Sequence, residues 1–120
     1  MIICVRWVII RSMKTLKMAY LCDTPETRTR GLMGVVMPDN VCGVFLFPEK
    51  ARWPMWGKNM MQDVYANFCS NGVVVESLPI MAGDLDAVVP VGEYRVMFES
   101  GRSFEGEAVA FEPDRVLIGC

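Results

Sequence analysis

The fold is indicated most directly by residues 64–77, which run Val-Tyr-Ala-Asn-Phe-Cys-Ser-Asn-Gly-Val-Val-Val-Glu-Ser. Two stretches rich in β-branched and aromatic residues flank the dipeptide Asn71-Gly72. Asn and Gly both tolerate a positive φ, which the tight turn of a two-residue β-hairpin requires. The segment therefore predicts two antiparallel strands, Val64–Cys69 and Val73–Ser77, joined by this turn.

Further short strands are predicted on both sides of the hairpin, from apolar runs that end at turn residues. They include Leu16–Cys22, Val41–Phe47, Tyr94–Glu99, Glu107–Phe111 and Arg115–Ile118, and also Trp53–Asn59, which Pro54 confines to an edge or an irregular stretch. About seven short strands with one short helix predict a mainly β fold, either a compact β-barrel or a sandwich.

The helix is predicted to begin after Asp23 or Thr24, because either residue caps a helix and Pro25 suits the first turn. It extends to about Met33 and is short, because two glycines weaken it. This helix would lie between the strand that ends near Cys22 and the strand that starts at Val41.

Length and charge exclude several classes of protein. The chain has 120 residues, of which 52% are hydrophobic, and a formal net charge of −2. This length suits one domain, so residues 1–120 are predicted to form a single β-rich domain with its own core. Phosphate binding needs clustered Lys and Arg, so we expect no nucleic acid as partner. Arg6 interrupts the apolar run 1–10 and no cleavage site follows it, so we expect cytoplasmic synthesis without a signal peptide, and no membrane span.

The chain has no histidine, and its five cysteines are widely spaced without a C-x-x-C pair. This pattern disfavours a zinc site or a redox dithiol, so we expect neither a metal nor a cofactor. Without histidine, a Ser-His-Asp mechanism is excluded and a cysteine nucleophile lacks its usual base, which favours a non-catalytic domain. Most of the cysteines lie in apolar runs and are expected to be buried. Cys120 is the last residue, so its thiol is a candidate for pairing between chains, and whether any disulfides form stays open.

Two polar segments supply the candidate binding residues. Residues 28–34 read Arg-Thr-Arg-Gly-Leu-Met-Gly and residues 56–59 read Trp-Gly-Lys-Asn; the candidates are Arg28, Arg30, Trp56, Lys58 and Asn59. Each has a structural alternative. Leu32 and Met33 are predicted to plug the core beside the helix, and Arg30 would then fix the helix onto the sheet by pairing with Glu99 or Asp63. Asn59 would satisfy the backbone of a loop. The neighbouring Trp53 and Trp56 would either pack at the edge of the core or form an apolar contact surface.

The ordered motifs resemble a known family. They are Arg28-x-Arg30-Gly31-Leu32-Met33, Gly43-Val44-Phe45-Leu46-Phe47, Trp56-Gly57-Lys58-Asn59, Asn71-Gly72-Val73-Val74 and Val96-Met97-Phe98-Glu99-Ser100-Gly101. In this order they resemble the family catalogued as domain of unknown function one hundred and ninety-two, over about residues 16–116. The resemblance implies a compact β-barrel-like domain with a short helix and no established substrate.

The chain departs from the family pattern at four places. Gly57 stands where the family usually has Met, and Met60 where it has Thr. Val35 replaces a position that is commonly basic. Either Asp63 or Tyr65, or neither, fills the position of the family's acidic residue. If the family has a polar site built from those groups, this chain lacks part of it.

The sequence leads to three functional hypotheses. The first is a non-catalytic β-domain that acts as a binding or structural accessory protein in a larger assembly, for example a virion decoration or tail protein, with protein partners or copies of itself. The alternative is a small-ligand-binding domain with a pocket near Trp56, Lys58 and Asn59. A hydrolase that works without histidine is the third.

Overall fold

A computed structural model describes residues 5–12, 16–38 and 40–119 of the chain. Within these residues, seven strands form one sheet and one helix lies beside it. The strands are β1 (Val5–Ser12), β2 (Leu16–Cys22), β3 (Val41–Ala51), β4 (Val64–Ser70), β5 (Val73–Ile80), β6 (Tyr94–Ser100) and β7 (Val109–Gly119), and the helix is α1 (Pro25–Arg30). The prediction of a mainly β fold with one short helix is confirmed.

The strand order in the sheet is β5-β4-β6-β3-β2-β1-β7. Neighbouring strands are antiparallel except β2 and β3, which are parallel and are connected through α1 and the segment after it. The two edge strands approach each other at one end, where Val73 and Ala108 form an isolated bridge. Two backbone bonds reinforce it, from Val74 N–H to the Glu107 carbonyl (3.0 Å) and from Val109 N–H to the Gly72 carbonyl (2.8 Å). The sheet therefore curls into a half-barrel rather than splitting into a sandwich.

The hairpin predicted around Asn71-Gly72 is present. Asn71 has φ 52° and Gly72 has φ 76°, the two successive positive values that a tight hairpin turn needs. Strands β4 and β5 pair antiparallel as predicted, from Val64 opposite Ile80 to Ser70 opposite Val73, with a register shift between Phe68 and Cys69.

Strands β3 and β5 extend past their predicted ends at Phe47 and Ser77, and three predicted elements differ more clearly from the structure. The helix ends at Arg30 rather than near Met33, because Gly31 takes up φ 49° and terminates it. The two closing strands predicted at the end of the chain are one continuous strand, β7. The predicted strand 53–59 is wrong: this stretch is a loop that makes one isolated bridge, between Met55 and Val88.

Two clusters of buried apolar side chains occupy the two faces of the sheet. Alternate residues of a strand enter different clusters, so that Val44 and Phe98 belong to the first while Phe45 and Met97 belong to the second. The second, which we call the helix-side cluster, includes Leu32 from the crossover segment. Its buried members are Cys22, Leu32, Met37, Phe45, Phe47, Val64, Ala66, Phe68, Ile80, Tyr94 and Met97.

A buried amide connects the strands at the end where the sheet edges meet. Asn67 is fully buried, and its Nδ2 donates to Ser100 Oγ (2.9 Å) and to the Phe98 carbonyl (3.1 Å). Its Oδ1 accepts from Ser77 Oγ (2.9 Å) and from the backbone N–H of Phe104 (3.0 Å). Because all these groups are satisfied inside the protein, the network fixes β4, β5, β6 and the following loop in one arrangement.

Candidate functional site

A cleft of about 520 Å³ lies on the helix-side face of the sheet. Helix α1, the chain after it and the loop between β3 and β4 form its walls, while β3 and β6 contribute its floor. Its lining combines cationic side chains, aromatic rings and a carboxyl group; these are Arg28, Arg30, Lys58, Phe45, Phe47, Trp53, Trp56 and Glu99.

Four of the five candidate residues from the sequence lie around this cleft: Arg28, Arg30, Trp56 and Lys58. Asn59 is exposed, does not line it and has φ 58°. Its carbonyl accepts a hydrogen bond from Gly34 N–H at 2.9 Å. The predicted role of its side-chain amide, bonding the backbone of a loop, is not seen among the described residues. Its place in the loop instead fits its backbone, since asparagine tolerates the left-handed region better than most residues.

Helix α1 is held in place by its cap and by Arg28. Thr24 accepts from Thr27 N–H (3.1 Å), and Thr27 Oγ1 accepts from Thr24 N–H (3.0 Å), a reciprocal cap that starts the helix. Arg28 Nη1 donates to the carbonyls of Asp23 (2.8 Å) and Leu46 (3.1 Å). The bond to Leu46 connects α1 to β3, so Arg28 positions the helix at the rim of the cleft.

The expected ion pair of Arg30 is wrong. Arg30 is exposed, and among the described residues it has no carboxylate within ion-pair distance; neither Glu99 nor Asp63 bonds it. Asp63 instead accepts from Ala82 N–H at 2.8 Å. The arginine that fixes the helix is Arg28, through backbone carbonyls, which leaves the guanidinium of Arg30 at the mouth of the cleft.

Close contact of α1 with the sheet depends on Gly31. A Cβ built on this residue would lie 3.0 Å from Cζ of Phe45. The next residue, Leu32, is buried and packs over Gly43 of β3, as the sequence predicted for a plug of the core. Met33, expected to share that role, is only half-buried and pairs with Met60 in an isolated bridge.

The loop that carries Trp56 and Lys58 is fixed by backbone contacts around Gly57. Gly57 N–H donates to the Asp84 carbonyl (3.0 Å), and Gly83 N–H donates to the Gly57 carbonyl (2.8 Å). A Cβ on Gly57 would lie 1.8 Å from the carbonyl oxygen of Met81, so no larger residue fits this path. The glycine that departs from the family pattern is therefore required by this chain's own loop packing.

Aromatic rings line the wall of the cleft. Phe47 and Trp53 stack with centroids 4.6 Å apart and planes only 8° from parallel. Trp53 Nε1 donates to the Glu49 carbonyl at 3.0 Å, which fixes its ring. Trp56 is 43% exposed, and the Lys58 ammonium lies 5.1 Å from its ring centroid, within cation–π range. The cleft therefore presents aromatic surface at its wall and a lysine ammonium next to an aromatic ring at its rim.

Glu99 is the residue of the cleft that the sequence analysis did not select as a binding residue. It is only 2% exposed, and burial raises the pKa of its carboxyl from 4.5 to about 8. Its direct neighbours across the sheet are Gly43 on β3 and Ala66 on β4. The signal in the sequence was a lone carboxylate at a core-facing position of a strand, two residues after Met97.

The three described cysteines, Cys22, Cys42 and Cys69, are buried as predicted, and all three are free. Burial raises the pKa of the Cys22, Cys42 and Cys69 thiols to about 12, and for Cys22 the carboxyl of Glu99 raises it further. These thiols are therefore protonated and unreactive near neutral pH. Cys120, the candidate for pairing between chains, lies outside the described residues.

Within residues 5–12, 16–38 and 40–119, no group of three or more His, Cys, Asp or Glu side chains is arranged to hold a metal ion. The helix described, of six residues, is too short to cross a membrane. Neither Asp63 nor Tyr65 lines the cleft, and the carboxyl group found there comes from Glu99.

Two solved structures share this fold. One is a proposed transcription regulator from Sinorhizobium meliloti, 17% identical, with a TM-score of 0.74 over 91% of this chain and 94% of that chain. The other is a protein of unknown function from Novosphingobium aromaticivorans, 15% identical, with a TM-score of 0.73 over 88% of this chain and 84% of that chain. At these identities the likeness shows the fold alone, and neither description mentions a virion.

No family model matches the chain, and no curated protein matches it. The resemblance to domain of unknown function one hundred and ninety-two accordingly stays a prediction.

Proposed function

We propose that this protein binds a small organic anion in the cleft between helix α1 and the sheet. The observation that carries the proposal is the convergence of Arg28, Arg30 and Lys58 with aromatic side chains around one concavity of about 520 Å³. Small-molecule sites are typically concave, mostly apolar and equipped with a few polar groups that orient the ligand. The sequence already suggested a small-ligand pocket near Trp56, Lys58 and Asn59 as an alternative function. The cleft proposed here includes Glu99 and does not include Asn59.

Charge favours an anion over a neutral or cationic ligand. Arg30 and Lys58 are exposed at the rim, while Glu99 lies at the floor as the only acidic residue that the lining contains within the described chain. Burial keeps most of the Glu99 carboxyl protonated at neutral pH, so the cleft carries a positive charge. A guanidinium binds a carboxylate or phosphate through two parallel hydrogen bonds, and the aromatic walls take up an apolar body.

The proposal is tested with benzoate, phenylphosphonate and indole-3-acetate as probes and neutral benzamide as the uncharged comparison. Binding is followed by thermal shift and by the NMR signals of the Trp53 and Trp56 indoles. We expect the acids to bind and benzamide not to bind. Arg30→Gln and Lys58→Gln should each weaken binding by about three- to tenfold, the loss of one charge-assisted contact.

Matched controls come from cations outside the cleft. Lys50 and Arg95 are exposed and do not line it, so Lys50→Gln and Arg95→Gln should leave the affinity unchanged. If the two control variants weaken binding as much as the cleft variants do, the acids are attracted by the surface in general and the proposal fails. It also fails if none of the acids binds.

A second candidate is binding to a protein, as in the accessory role inferred from the sequence. The observation in its favour is a group of exposed large apolar side chains on the segment after β5, namely Met81, Leu85, Val89 and Val91. Exposed apolar side chains on one segment are typical of contact surfaces. A virion is one assembly that would use such a surface, and no described feature favours it over others.

Light scattering after size-exclusion chromatography tests whether copies of this chain associate through that segment. Association that Val91→Ser and Leu85→Ser abolish would support the accessory role. A monomer at every concentration up to about millimolar, where weak contacts saturate, would argue against self-assembly.

A further inference from the structure

The carboxyl of Glu99 at the floor of the cleft makes no hydrogen bond to a described residue. Among these residues no fully inaccessible polar side-chain atom lacks a partner, so the carboxyl oxygens keep some access to the cleft and are not sealed in the core. Glu99 is 2% exposed, and among the described residues no donor lies within hydrogen-bond distance of its carboxyl. The great majority of buried polar side chains in proteins are hydrogen-bonded, and the exceptions usually have a function. Because Glu99 lines the cleft, the unfilled bonding capacity is available to whatever enters it.

The surroundings of Glu99 explain why its carboxyl is not ionised. Its strand neighbours, Gly43 and Ala66, are small and carry no charge. The thiol of Cys22 on β2 lies close enough for the charge of Glu99 to raise the pKa of that thiol, whereas the pKa of Glu99 itself is raised by burial. Burial then raises the pKa of Glu99 to about 8, so that near neutral pH the group is an O–H donor.

The cationic groups around the cleft do not reverse this effect. Arg28 is bonded to the carbonyls of Asp23 and Leu46. Arg30 and Lys58 are exposed at the rim, where water screens them. The cleft therefore has exposed cations at its mouth, a neutral donor at its floor and the stacked rings of Phe47 and Trp53 in its lining.

From this arrangement we infer that the ligand is a planar organic acid with a hydrogen-bond acceptor at the end opposite its acid group. The acid group meets Arg30 and Lys58, the planar body lies against the aromatic wall, and the acceptor takes the O–H of Glu99. This inference rests on the proposed function. It adds that the two ends of the ligand differ, with the acid group at one end and an uncharged hydrogen-bond acceptor at the other. A carbonyl oxygen or an aromatic ring nitrogen satisfies it. An ammonium has no lone pair to accept with, and a second carboxylate would accept but at the cost of burying its charge.

The test uses probes that differ only in the acceptor. The acceptor-bearing probes are 4-acetylbenzoate and the longer 4′-acetylbiphenyl-4-carboxylate, and their isopropyl analogues have the same shape without the carbonyl. Dissociation constants are measured by calorimetry for the parent protein and for Glu99→Gln and Glu99→Leu. Glutamine keeps a neutral donor, while leucine keeps the volume and removes it.

We expect at least one acetyl compound to bind the parent protein about tenfold more tightly than its isopropyl analogue near pH 6.5, the worth of one buried hydrogen bond. Glu99→Leu should remove this preference and Glu99→Gln should retain it. Above about pH 8, where Glu99 ionises and no longer donates, the parent protein should lose its preference for the acetyl compound, about tenfold in all, and Glu99→Gln should keep it. The glutamine variant retains Arg28, Arg30 and Lys58, so its affinity at each pH corrects for everything except the Glu99 carboxyl.

The possible failures are distinguishable. If acetyl and isopropyl compounds bind equally, or if Glu99→Leu keeps the preference, the inference is overturned while anion binding stands. If no acid binds in an Arg30-dependent way, the proposed function falls and the inference falls with it. Should Glu99→Leu not fold, the different pH profiles of the parent and Glu99→Gln still decide the matter.

Discussion

Replacing Glu99 with glutamine should remove a large pH dependence from the stability of the protein. Burial raises the pKa of this carboxyl from 4.5 in the unfolded chain to about 8 in the folded one. Between these values the folded state keeps a proton that the unfolded state has released, so stability falls as the pH rises. The stabilising contribution is therefore complete below about pH 4.5 and is lost as the pH rises through about 8.

The magnitude follows from the two pKa values. The interval between 4.5 and about 8, at about 1.4 kcal/mol per pH unit, corresponds to on the order of 5 kcal/mol of unfolding free energy. Glu99 is almost completely buried, so solvent screening reduces this figure little. A change of this size is comparable to the whole stability of many small domains, which is typically about 5–15 kcal/mol.

Urea unfolding at several pH values between about 5 and 8.5 measures the effect. The quantity to follow is the difference in unfolding free energy between the parent protein and Glu99→Gln, because contributions from other groups cancel in it. We expect the difference to shift in favour of glutamine by several kcal/mol over this range. The pH range ends at about 8.5 because of the buried thiols. Their ionisation in the unfolded chain lowers the free energy of unfolding separately at higher pH.

Two results would refute this reasoning. Parallel stability curves for the two proteins would mean that Glu99 titrates alike in the folded and unfolded states. A direct NMR titration of the Glu99 carboxyl carbon with a midpoint near 4.5, instead of about 8, would show that water reaches the group.

Three further predictions concern the scaffold. Gly57→Ala should lower the free energy of unfolding in urea by about 3 kcal/mol or more, the upper end of the usual range for an oversized side chain, because its Cβ would overlap the Met81 carbonyl. It should also shift the NMR signals of the loop that carries Trp56 and Lys58. Asn67→Ala should cost about 3 kcal/mol in the same assay, because several buried groups lose their partner at once. Burial by itself raises the pKa of Glu76, but hydrogen bonds from the Tyr94 hydroxyl and from two backbone N–H groups outweigh burial and lower it. Glu76 therefore stabilises the folded protein above pH 4.5, and this stabilisation is lost as the pH falls through the lower pKa of the folded state. Amide protection in the loop bonded by Glu76 should accordingly decrease in acid for the parent protein and not for Glu76→Gln.

Each of these predictions has a matched control. Gly101 has open space around its Cβ position, so Gly101→Ala should be nearly neutral; a loss equal to that of Gly57→Ala would contradict the steric argument. Ser77→Ala removes one bond of the Asn67 network and should cost about 1 kcal/mol. An equal loss for Ser77→Ala and Asn67→Ala would mean that the network is not centred on the amide. Acid-dependent protection that persists in Glu76→Gln would assign the effect to another group.

The sequence alone determined the local elements of this protein. The turn residues Asn71-Gly72 predict the β4–β5 hairpin because few other residues adopt two successive positive φ values, and Thr24 with Pro25 predicts the start of α1. These properties depend on neighbours within a few positions along the chain, which is why they can be inferred without a structure.

Tertiary structure decided everything that depends on distant contacts. The helix ends at Gly31, and the last two predicted strands are the single strand β7. Residues 53–59 form a loop that Gly57 bonds to the segment after β5. Arg28, and not Arg30, connects the helix to the sheet, through its hydrogen bond to the Leu46 carbonyl. The carboxyl of Glu99 lies at the floor of the cleft without an ion-pair partner among the described residues. The physical reason is that burial, and with it the protonation of a carboxyl and the freedom of a guanidinium, is set by which strands and loops pack together, a long-range property that no single stretch of sequence contains.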